Sequence, residues 1–151
     1  MNFTIRFANT DDVPTILQFI RALASYEHLT HEVVATEALL TETLFGDPPQ
    51  AETLLAFEED TPVGFALFFA NYSTFLGRAG IHLEDLFVLE EYRGRGYGKA
   101  LLDKMQEIAQ TRGAGRLEWN VLDWNQSAID FYESMGAKPV AGWTTYRIVY
   151  P

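Results

Sequence analysis

The 151-residue sequence contains no cysteine. That absence excludes disulfide bonds, cysteine-ligated metal sites and a thiol nucleophile. Basic residues are also scarce, because 11 lysines and arginines stand against 21 aspartates and glutamates, which gives a formal net charge of −10. Since nucleic-acid binding depends on clustered cations that contact phosphates, this balance argues against a nucleic-acid partner. It suits a cationic partner, although an acidic surface also serves solubility alone.

Long apolar runs are missing as well. No segment approaches the roughly 20 apolar residues that span a bilayer, and the N-terminal residues show no basic-then-apolar targeting pattern. We therefore expect no membrane partner and a cytoplasmic protein. The three histidines, His28, His31 and His82, lack the spacing of a metal site, so no metal is predicted.

The composition that is present indicates one folded domain over residues 1–151. Hydrophobic residues make up 48% of the chain and aromatic residues 14%, which is typical of a globular protein rather than a disordered one. The length fits a single domain with a real core. No repeat, low-complexity tract or linker interrupts it.

Hydrophobic periodicity predicts elements in the order β-α-α-β-β-β-α-β-α-β. The predicted strands are residues 3–7, 53–57, 63–70, 81–89, 117–122 and 145–150. Four helices are predicted. The first follows Thr10, the second follows Thr36, the third begins at the glycine-rich loop near residue 98, and the fourth runs from Gln126 to Met135. This order predicts an α/β (α+β) fold with a mostly antiparallel sheet.

The most informative stretch is LEDLFVLEEYRGRGYGKA, residues 83–100. An apolar strand is followed by a glycine-rich basic loop from Arg93 to Gly98 and then by the start of a helix. Such a loop presents unpaired main-chain N–H groups at the positive end of a helix, which predicts a phosphate site. Arg93, Arg95 and Lys99 add positive charge.

Two common phosphate loops do not fit this stretch. The P-loop pattern needs Ser or Thr after Gly-Lys, but Ala100 follows Lys99. The dinucleotide pattern needs Gly-x-Gly-x-x-Gly near the start of a domain, whereas Gly94, Gly96 and Gly98 alternate past the middle of the chain. A glycine-rich turn that only joins a strand to a helix is the alternative.

The remaining pattern, Arg93-x-x-Gly96-x-Gly98 after an apolar strand, resembles the acetyl-CoA pyrophosphate loop of the GCN5-related N-acetyltransferase (GNAT) superfamily. Other stretches are similar to its diamine (spermidine/spermine) and thialysine acetyltransferase branch. They are residues 24–27, 63–66, 83–88, 92–94, 124–125 and 131–132, spread over nearly the whole chain. The resemblance implies a single GNAT-type domain with a mostly antiparallel sheet of six to seven strands and four helices. It also implies acetyl-CoA as co-substrate and a homodimer.

The resemblance further implies which residues contact the cofactor. Leu86, Phe87 and Val88 would pair with the pantetheine amides like an added strand, and a main-chain N–H among them would stabilise the oxyanion. Asn125 is expected to contact the cofactor arm, while capping its helix is an equally good interpretation. The residues implied at the pyrophosphate are Arg93, Gly94, Arg95, Gly96, Tyr97, Gly98 and Lys99.

Acetyl transfer to an amine needs a neutral amine, a stabilised oxyanion and a proton for the departing thiolate. A protonated alkylamine has a pKa of about 10, so a group must help to remove its proton. The resemblance assigns this role to Glu84, which could equally position the cation or face solvent. Strand alternation would place Asp85 on the opposite face. The general acid is assigned to Tyr132, whereas packing with Phe131 and Met135 on one helical face is the alternative.

The branch holds its amine with acidic and aromatic residues that match Tyr26, Glu27, Glu84 and Asp85 here. They would bind an ammonium by charge and cation–π contact. The polyamine enzymes also carry acidic residues before the last strand and a C-terminal extension, but residues 140–142 here are Val-Ala-Gly and the given chain ends at residue 151. A smaller amine, such as a diamine or a lysine-like amino acid, is therefore at least as plausible as a polyamine.

The expected function is an acetyl-CoA-dependent N-acetyltransferase (EC 2.3.1.-) that acts by direct transfer on a small cationic amine. Two alternatives stay open. One is a non-catalytic acyl-CoA-binding sensor on the same fold, and the other is an acetyltransferase that modifies proteins or peptides.

Overall fold

The computed structural model describes residues 2–151. The helices are α1 (Val13–Tyr26), α2 (Glu37–Phe45), α3 (Tyr97–Thr111) and α4 (Gln126–Ser134). The strands are β1 (Phe3–Phe7), β2 (Glu52–Glu58), β3 (Thr61–Ser73), β4 (Arg78–Val88) and β5 (Leu117–Glu118). The chain divides into two compact units, one extending to Trp119 and the other formed by Asn120–Pro151. Across residues 2–151, no helix combines the length and the apolar character that a membrane span requires.

The first unit is built on a mixed sheet with the strand order β1-β2-β3-β4-β5. The first four strands pair antiparallel with their neighbours, and β5 pairs parallel to β4. Tight turns join β2 to β3 and β3 to β4, where Glu59 and Gly77 adopt the left-handed conformation. The predicted connection at residues 71–80 is wrong, because most of it extends β3 and β4 into a long hairpin around the turn at 74–77.

Helices cover both faces of this sheet. Helices α1 and α2 pack on Leu55, Phe65 and Phe87, and the Phe19 ring stacks on Phe65 at 5.3 Å. Side chains alternate along a strand, so Gly64 faces the side of the sheet opposite to that of Phe65. There a Cβ on Gly64 would lie 3.4 Å from Leu101 of α3. The apolar residues of α3 that recur at helical spacing are all buried: Leu101, Leu102, Met105, Ile108 and Ala109.

The prediction of six to seven strands is wrong, because the sheet of residues 2–151 has five. The predicted strand 117–122 pairs over two residues only, and the predicted strand 145–150 forms no ladder. A strand needs a neighbouring main chain to satisfy its N–H and C=O groups, and residues 145–150 have none beside them within the described chain. Their alternating apolar pattern remains as exposed side chains.

The second unit contains α4, which begins after Asn125 and ends before Gly136. The Asn125 side chain accepts a hydrogen bond from the Ala128 N–H at 3.3 Å, which confirms the predicted cap. Gly136 has a φ of +90°, a conformation that favours glycine and stops the helix.

Candidate active site

The glycine-rich loop presents a row of unused main-chain donors. Gly94 and Gly96 have φ values of +78° and +83°, and Gly96 is the residue that precedes α3. The first closing bond of the helix runs from the Ala100 N–H to the Gly96 carbonyl at 3.0 Å. Within residues 2–151, the N–H groups of residues 94–99 make no main-chain hydrogen bond. Six donors at a helix N-terminus are therefore available to an anion, as the sequence indicates.

Arg93, predicted at the phosphate, is held by the protein itself. Its Nε donates a hydrogen bond to the Val88 carbonyl at 3.0 Å. Its guanidinium lies 4.5 Å from the Tyr26 ring centroid and 5.3 Å from that of Phe87. Arg93 thus joins the loop to the end of α1 through cation–π contacts.

The other two cations of the loop also have protein partners. Arg95 Nη1 lies 2.6 Å from Glu58 Oε2, and its guanidinium lies 5.1 Å from the Tyr92 ring centroid. Lys99 Nζ lies 2.8 Å from Asp103 Oδ2, one helical turn along α3. Each of these three side chains has a protein partner, whereas the N–H groups of residues 94–99 make no main-chain hydrogen bond in the described chain.

Strand β4 contains a bulge at Glu84. Leu67 pairs with Asp85 and Phe68 pairs with Leu83, so two consecutive residues of β3 lie opposite three of β4. Glu84 is the extra residue, and its side chain is exposed. Bulges of this kind re-aim side chains and occur often beside active sites.

The bulge brings both carboxylates to one face of the sheet. Asp85 lies opposite Leu67, whereas His82 lies opposite Phe69 with the two rings 5.1 Å apart. Residues 67 and 69 share a face because they are two apart on β3. The Glu84 Oε1 atom lies 3.6 Å from His82 Nε2, so Glu84 lies on this face too. The expected alternation of Glu84 and Asp85 is therefore wrong at this point.

An acidic cluster, with Glu27 and Asp85 half-buried and Glu84 exposed, forms where β4 meets the end of α1. Burial, together with the neighbouring charges of Glu84 and Glu27, raises the pKa of Asp85 to about 7. Burial also raises the pKa of Glu27. The Tyr26 ring lies 6.2 Å from Phe87 on the same face of β4 as Asp85. The structure thus brings the four predicted substrate residues together, and a bound cation would relieve their mutual repulsion.

The predicted cofactor segment of β4, residues 86–88, has one strand edge open. On the β5 side, β4 pairs only at Ile81 with Leu117 and at His82 with Glu118. The rest of that edge has no strand beside it within the described chain. An edge of this kind can hydrogen-bond an extended ligand in the manner of an added strand.

The two remaining predicted residues lie on α4 in the second unit. Asn125 is buried and caps the helix. Tyr132 is half-buried two turns further along, and its ring lies 5.5 Å from that of Phe131. The structure therefore supports the packing interpretation for Tyr132 and the capping interpretation for Asn125. Within residues 2–151, no group of three or more His, Cys, Asp or Glu residues could hold a metal.

Sequence reasoning missed two neighbours of the predicted residues. Glu58 contacts Arg95 and Tyr97 of the loop from the end of β2, and no spacing rule joins positions that far apart. His82 lies beside Glu84, and the short separation along β4 was the available signal.

Taken together, the mixed sheet, the bulged strand and the donor-rich loop define an α/β protein with a row of main-chain N–H groups, unbonded to other main chain of residues 2–151, at the N-terminus of α3. The acetyltransferase (GNAT) family model matches residues 16–137, and the chain belongs to this family. It is 38% identical to the thialysine N-epsilon-acetyltransferase of Bos taurus, over 95% of this chain and 90% of that one. It is 36% identical to the L-ornithine N5-acetyltransferase NATA1 of Arabidopsis thaliana, over 95% of this chain and 83% of that one.

Solved structures agree with this assignment. An integron cassette protein from the mobile metagenome of V. cholerae superposes with a TM-score of 0.81 and 26% identity, over 99% of this chain and 94% of that one. The predicted family, its diamine and thialysine branch, and the GNAT fold are confirmed. The protein is thus an acyltransferase of the N-acetyltransferase type that uses acetyl-CoA.

Proposed function

We propose that this enzyme transfers an acetyl group directly from acetyl-CoA to a primary amine of a small cationic substrate. The observation that carries the proposal is the acidic cluster of Glu27, Glu84 and Asp85 beside Tyr26. Burial and mutual repulsion raise the pKa of Asp85 to about 7, so this site favours a ligand that brings positive charge. The relatives named for thialysine and L-ornithine support a diamine or lysine-like amino acid in particular.

The cofactor is assigned to the loop and to the open edge of β4. The free amides of residues 94–99 bind the pyrophosphate at the N-terminus of α3. The edge at residues 86–88 pairs with the pantetheine amides, and one N–H there stabilises the oxyanion. Asn125 contacts the cofactor arm while its side chain continues to cap α4.

The reaction is a direct aminolysis of the thioester. The amine nitrogen attacks the carbonyl carbon, a C–N bond forms, and the C–S bond then breaks to give the amide and CoA. Glu84 accepts the amine proton directly or through water, or holds the cation in place, and its exposed carboxylate is accessible for either role. Tyr132 donates a proton to the leaving thiolate. The transfer from a phenol with a pKa of about 10 to a thiolate whose thiol has a pKa of about 8.5 is uphill by only about 1.5 pKa units, a gap that a general acid in contact with the thiolate can bridge.

Three further expectations belong to this proposal. The enzyme acts as a homodimer, it works in the cytoplasm, and it has no nucleic-acid or membrane partner. The formal charge of −10 supports the exclusion of nucleic acid.

The test is release of CoA thiol from acetyl-CoA over a panel of amines: spermidine, putrescine, lysine, thialysine, ornithine and a lysine-containing peptide. We expect turnover on at least one small amine and little on the peptide. Turnover on the peptide alone would favour a protein acetyltransferase. Binding of CoA without acetylation of any amine would favour the acyl-CoA sensor instead.

A matched variant separates the substrate site from the cofactor site. Asp85→Asn should raise the KM for the amine by about tenfold or more, because it removes a buried charge that faces the cation. The KM for acetyl-CoA should stay within about twofold. An unchanged amine KM would remove the acidic cluster from the proposal.

A further inference from the structure

We infer that Glu58 is a positioning residue for the cofactor, whose carboxylate holds Arg95 and Tyr97 so that the loop amides face the pyrophosphate. This inference rests on the proposed cofactor site. Glu58 itself has no contact with the cofactor in this scheme. It acts through the loop, and the loop acts through its main chain.

The Glu58 carboxylate is a buried acceptor shared by two loop residues. It is the last residue of β2, and its side chain is only 10% exposed. Its Oε2 atom accepts a hydrogen bond from Arg95 Nη1 at 2.6 Å and a second from the Tyr97 hydroxyl. A buried carboxylate with two such donors is a strong anchor, because charge-assisted hydrogen bonds are shorter and stronger than neutral ones.

The two residues held by Glu58 lie on either side of Gly96. That glycine has a φ of +83° and precedes the first residue of α3. Nothing lies within 4 Å of the Cβ position of Gly96, so no packing contact on that side holds the glycine. The side chains of its two neighbours, together with the hydrogen bond from the Ala100 N–H to the Gly96 carbonyl, are therefore the contacts that orient the loop amides.

Aromatic contacts complete this anchor. The Tyr97 ring stacks on Phe3 of β1 with centroids 4.1 Å apart and an interplanar angle of 6°. The Arg95 guanidinium lies 5.1 Å from the Tyr92 ring centroid. The loop is thus attached to β1 and β2, far from it in sequence, and is built before any ligand arrives.

The charges of Glu58 and Arg95 favour the main chain of the loop, rather than the Arg95 side chain, as the group that binds the pyrophosphate. The hydrogen bond from Tyr97 and the contact with Arg95 lower the pKa of Glu58, so the carboxylate stays ionised at neutral pH. Its negative charge neutralises Arg95 at 2.6 Å. Arg95 therefore holds the loop through Glu58, and the contact with phosphate falls to the main-chain amides.

The two roles of Arg95 give opposite results for one substitution. If Arg95 orients the loop through Glu58, Glu58→Gln weakens the anchor and CoA binds less tightly. If Arg95 binds phosphate directly, Glu58→Gln releases it, and CoA binds equally or more tightly.

The control is a second ion pair between a β2 glutamate and an arginine that flanks α3. Glu52 begins β2, and its carboxylate contacts Arg112 at the end of α3 with distances of 2.6 and 3.0 Å. Glu52→Gln removes the same charge from the same strand, away from the loop. It reports the general cost of losing one ion pair between a β2 glutamate and an arginine that flanks α3.

The experiment is calorimetric titration of CoA into the wild type, Glu58→Gln, Arg95→Gln and Glu52→Gln, with thermal unfolding as a check on each variant. We expect Kd for CoA to rise about tenfold or more in Glu58→Gln and Arg95→Gln, and less than about twofold in Glu52→Gln. In steady-state assays the KM for acetyl-CoA should rise in parallel, while the KM for the amine stays unchanged. With S-acetylpantetheine, a donor that lacks the pyrophosphate, Glu58→Gln and the wild type should have equal kcat/KM.

The outcomes separate this inference from the proposed cofactor site. A wild type that does not bind CoA overturns the cofactor site itself. A wild type that binds CoA while Glu58→Gln binds it equally or more tightly overturns the role of Glu58 alone. If Glu58→Gln does not fold, Tyr97→Phe decides, because it removes one hydrogen bond and keeps the ring stack. A rise of about threefold or more in its Kd supports the anchor, and an unchanged Kd overturns it.

Discussion

Asp85 lies half-buried on β4 within the electric field of Glu84 and Glu27. Burial and these charges raise its pKa to about 7, whereas an unfolded aspartate titrates near about 3.9. Between about pH 4 and about pH 7, the folded protein therefore binds one proton more than the unfolded chain does. Because an acid with a raised folded pKa is destabilising once ionised, stability is lost as the pH rises from about 4 to about 7.

Asp85→Asn should remove this loss. We expect a gain in the free energy of unfolding on the order of 3 kcal/mol at pH 8 and little change at pH 4, measured by urea denaturation. Asp123→Asn, at an exposed aspartate, is the control and should change neither value by more than about 0.5 kcal/mol. Equal effects of Asp85→Asn at both pH values would contradict the assignment of a raised pKa.

Tyr132 is tested by removing only its hydroxyl. Tyr132→Phe keeps the contact between its ring and Phe131, so the fold and the CoA affinity should be retained. The kcat on the best amine should fall by about tenfold to a thousandfold, because the thiolate loses its proton donor. Tyr72→Phe, at an exposed tyrosine on β3, should keep full kcat. A Tyr132→Phe enzyme with wild-type kcat would leave packing as the role of this residue.

The loop between β4 and α3 offers a test of backbone geometry. Gly96 and Gly77 both have left-handed φ values, +83° and +69°, and a Cβ at either position would meet nothing within 4 Å. Alanine at either site therefore costs backbone strain alone, about 1 to 2 kcal/mol. The two substitutions form a matched pair that differs only in location.

Gly96→Ala and Gly77→Ala should destabilise the protein by similar amounts, as measured by thermal unfolding. Only Gly96→Ala should weaken CoA, by about tenfold or more in calorimetry, because it turns the amides that bind the pyrophosphate. Equal CoA affinities in the two variants would argue against phosphate binding by the loop.

Most elements were predictable because their signals are local. Thr36 caps α2, as the sequence indicates, and α3 begins at Tyr97, inside the glycine-rich loop predicted to end at Gly98. The buried face of α3 follows its periodicity. The strand predicted at residues 145–150 failed for a physical reason: alternation shows that a segment suits a pleated, half-buried surface, but a ladder also needs a partner.

At the scale of the whole molecule, the C-terminal segment bears on the predicted homodimer. Its large apolar side chains are 71–92% exposed: Val140, Trp143, Tyr146, Ile148, Val149 and Tyr150. Contiguous exposed apolar surface is typical of an interface. The second unit by itself thus leaves its most apolar segment without cover.

Light scattering should give twice the mass of one chain at micromolar concentration. Replacing Ile148 and Tyr150 together with serine should shift the protein toward the monomer, while Tyr72→Ser, at another exposed aromatic, should not. A wild-type protein that stays monomeric at high concentration would contradict the homodimer.

The sequence by itself determined the helices, which follow from caps and periodicity along the chain. Its resemblance to a known family indicated the family and the acidic and phenolic candidates, and the phosphate role of the glycine-rich loop stays a prediction from its motif. Tertiary structure alone decided which groups meet. The bulge that turns Glu84 and Asp85 to one face, and the Glu58 carboxylate that holds Arg95, arise from strand pairing between distant segments. Local pattern carries no record of those contacts, because they depend on register and burial in the folded sheet.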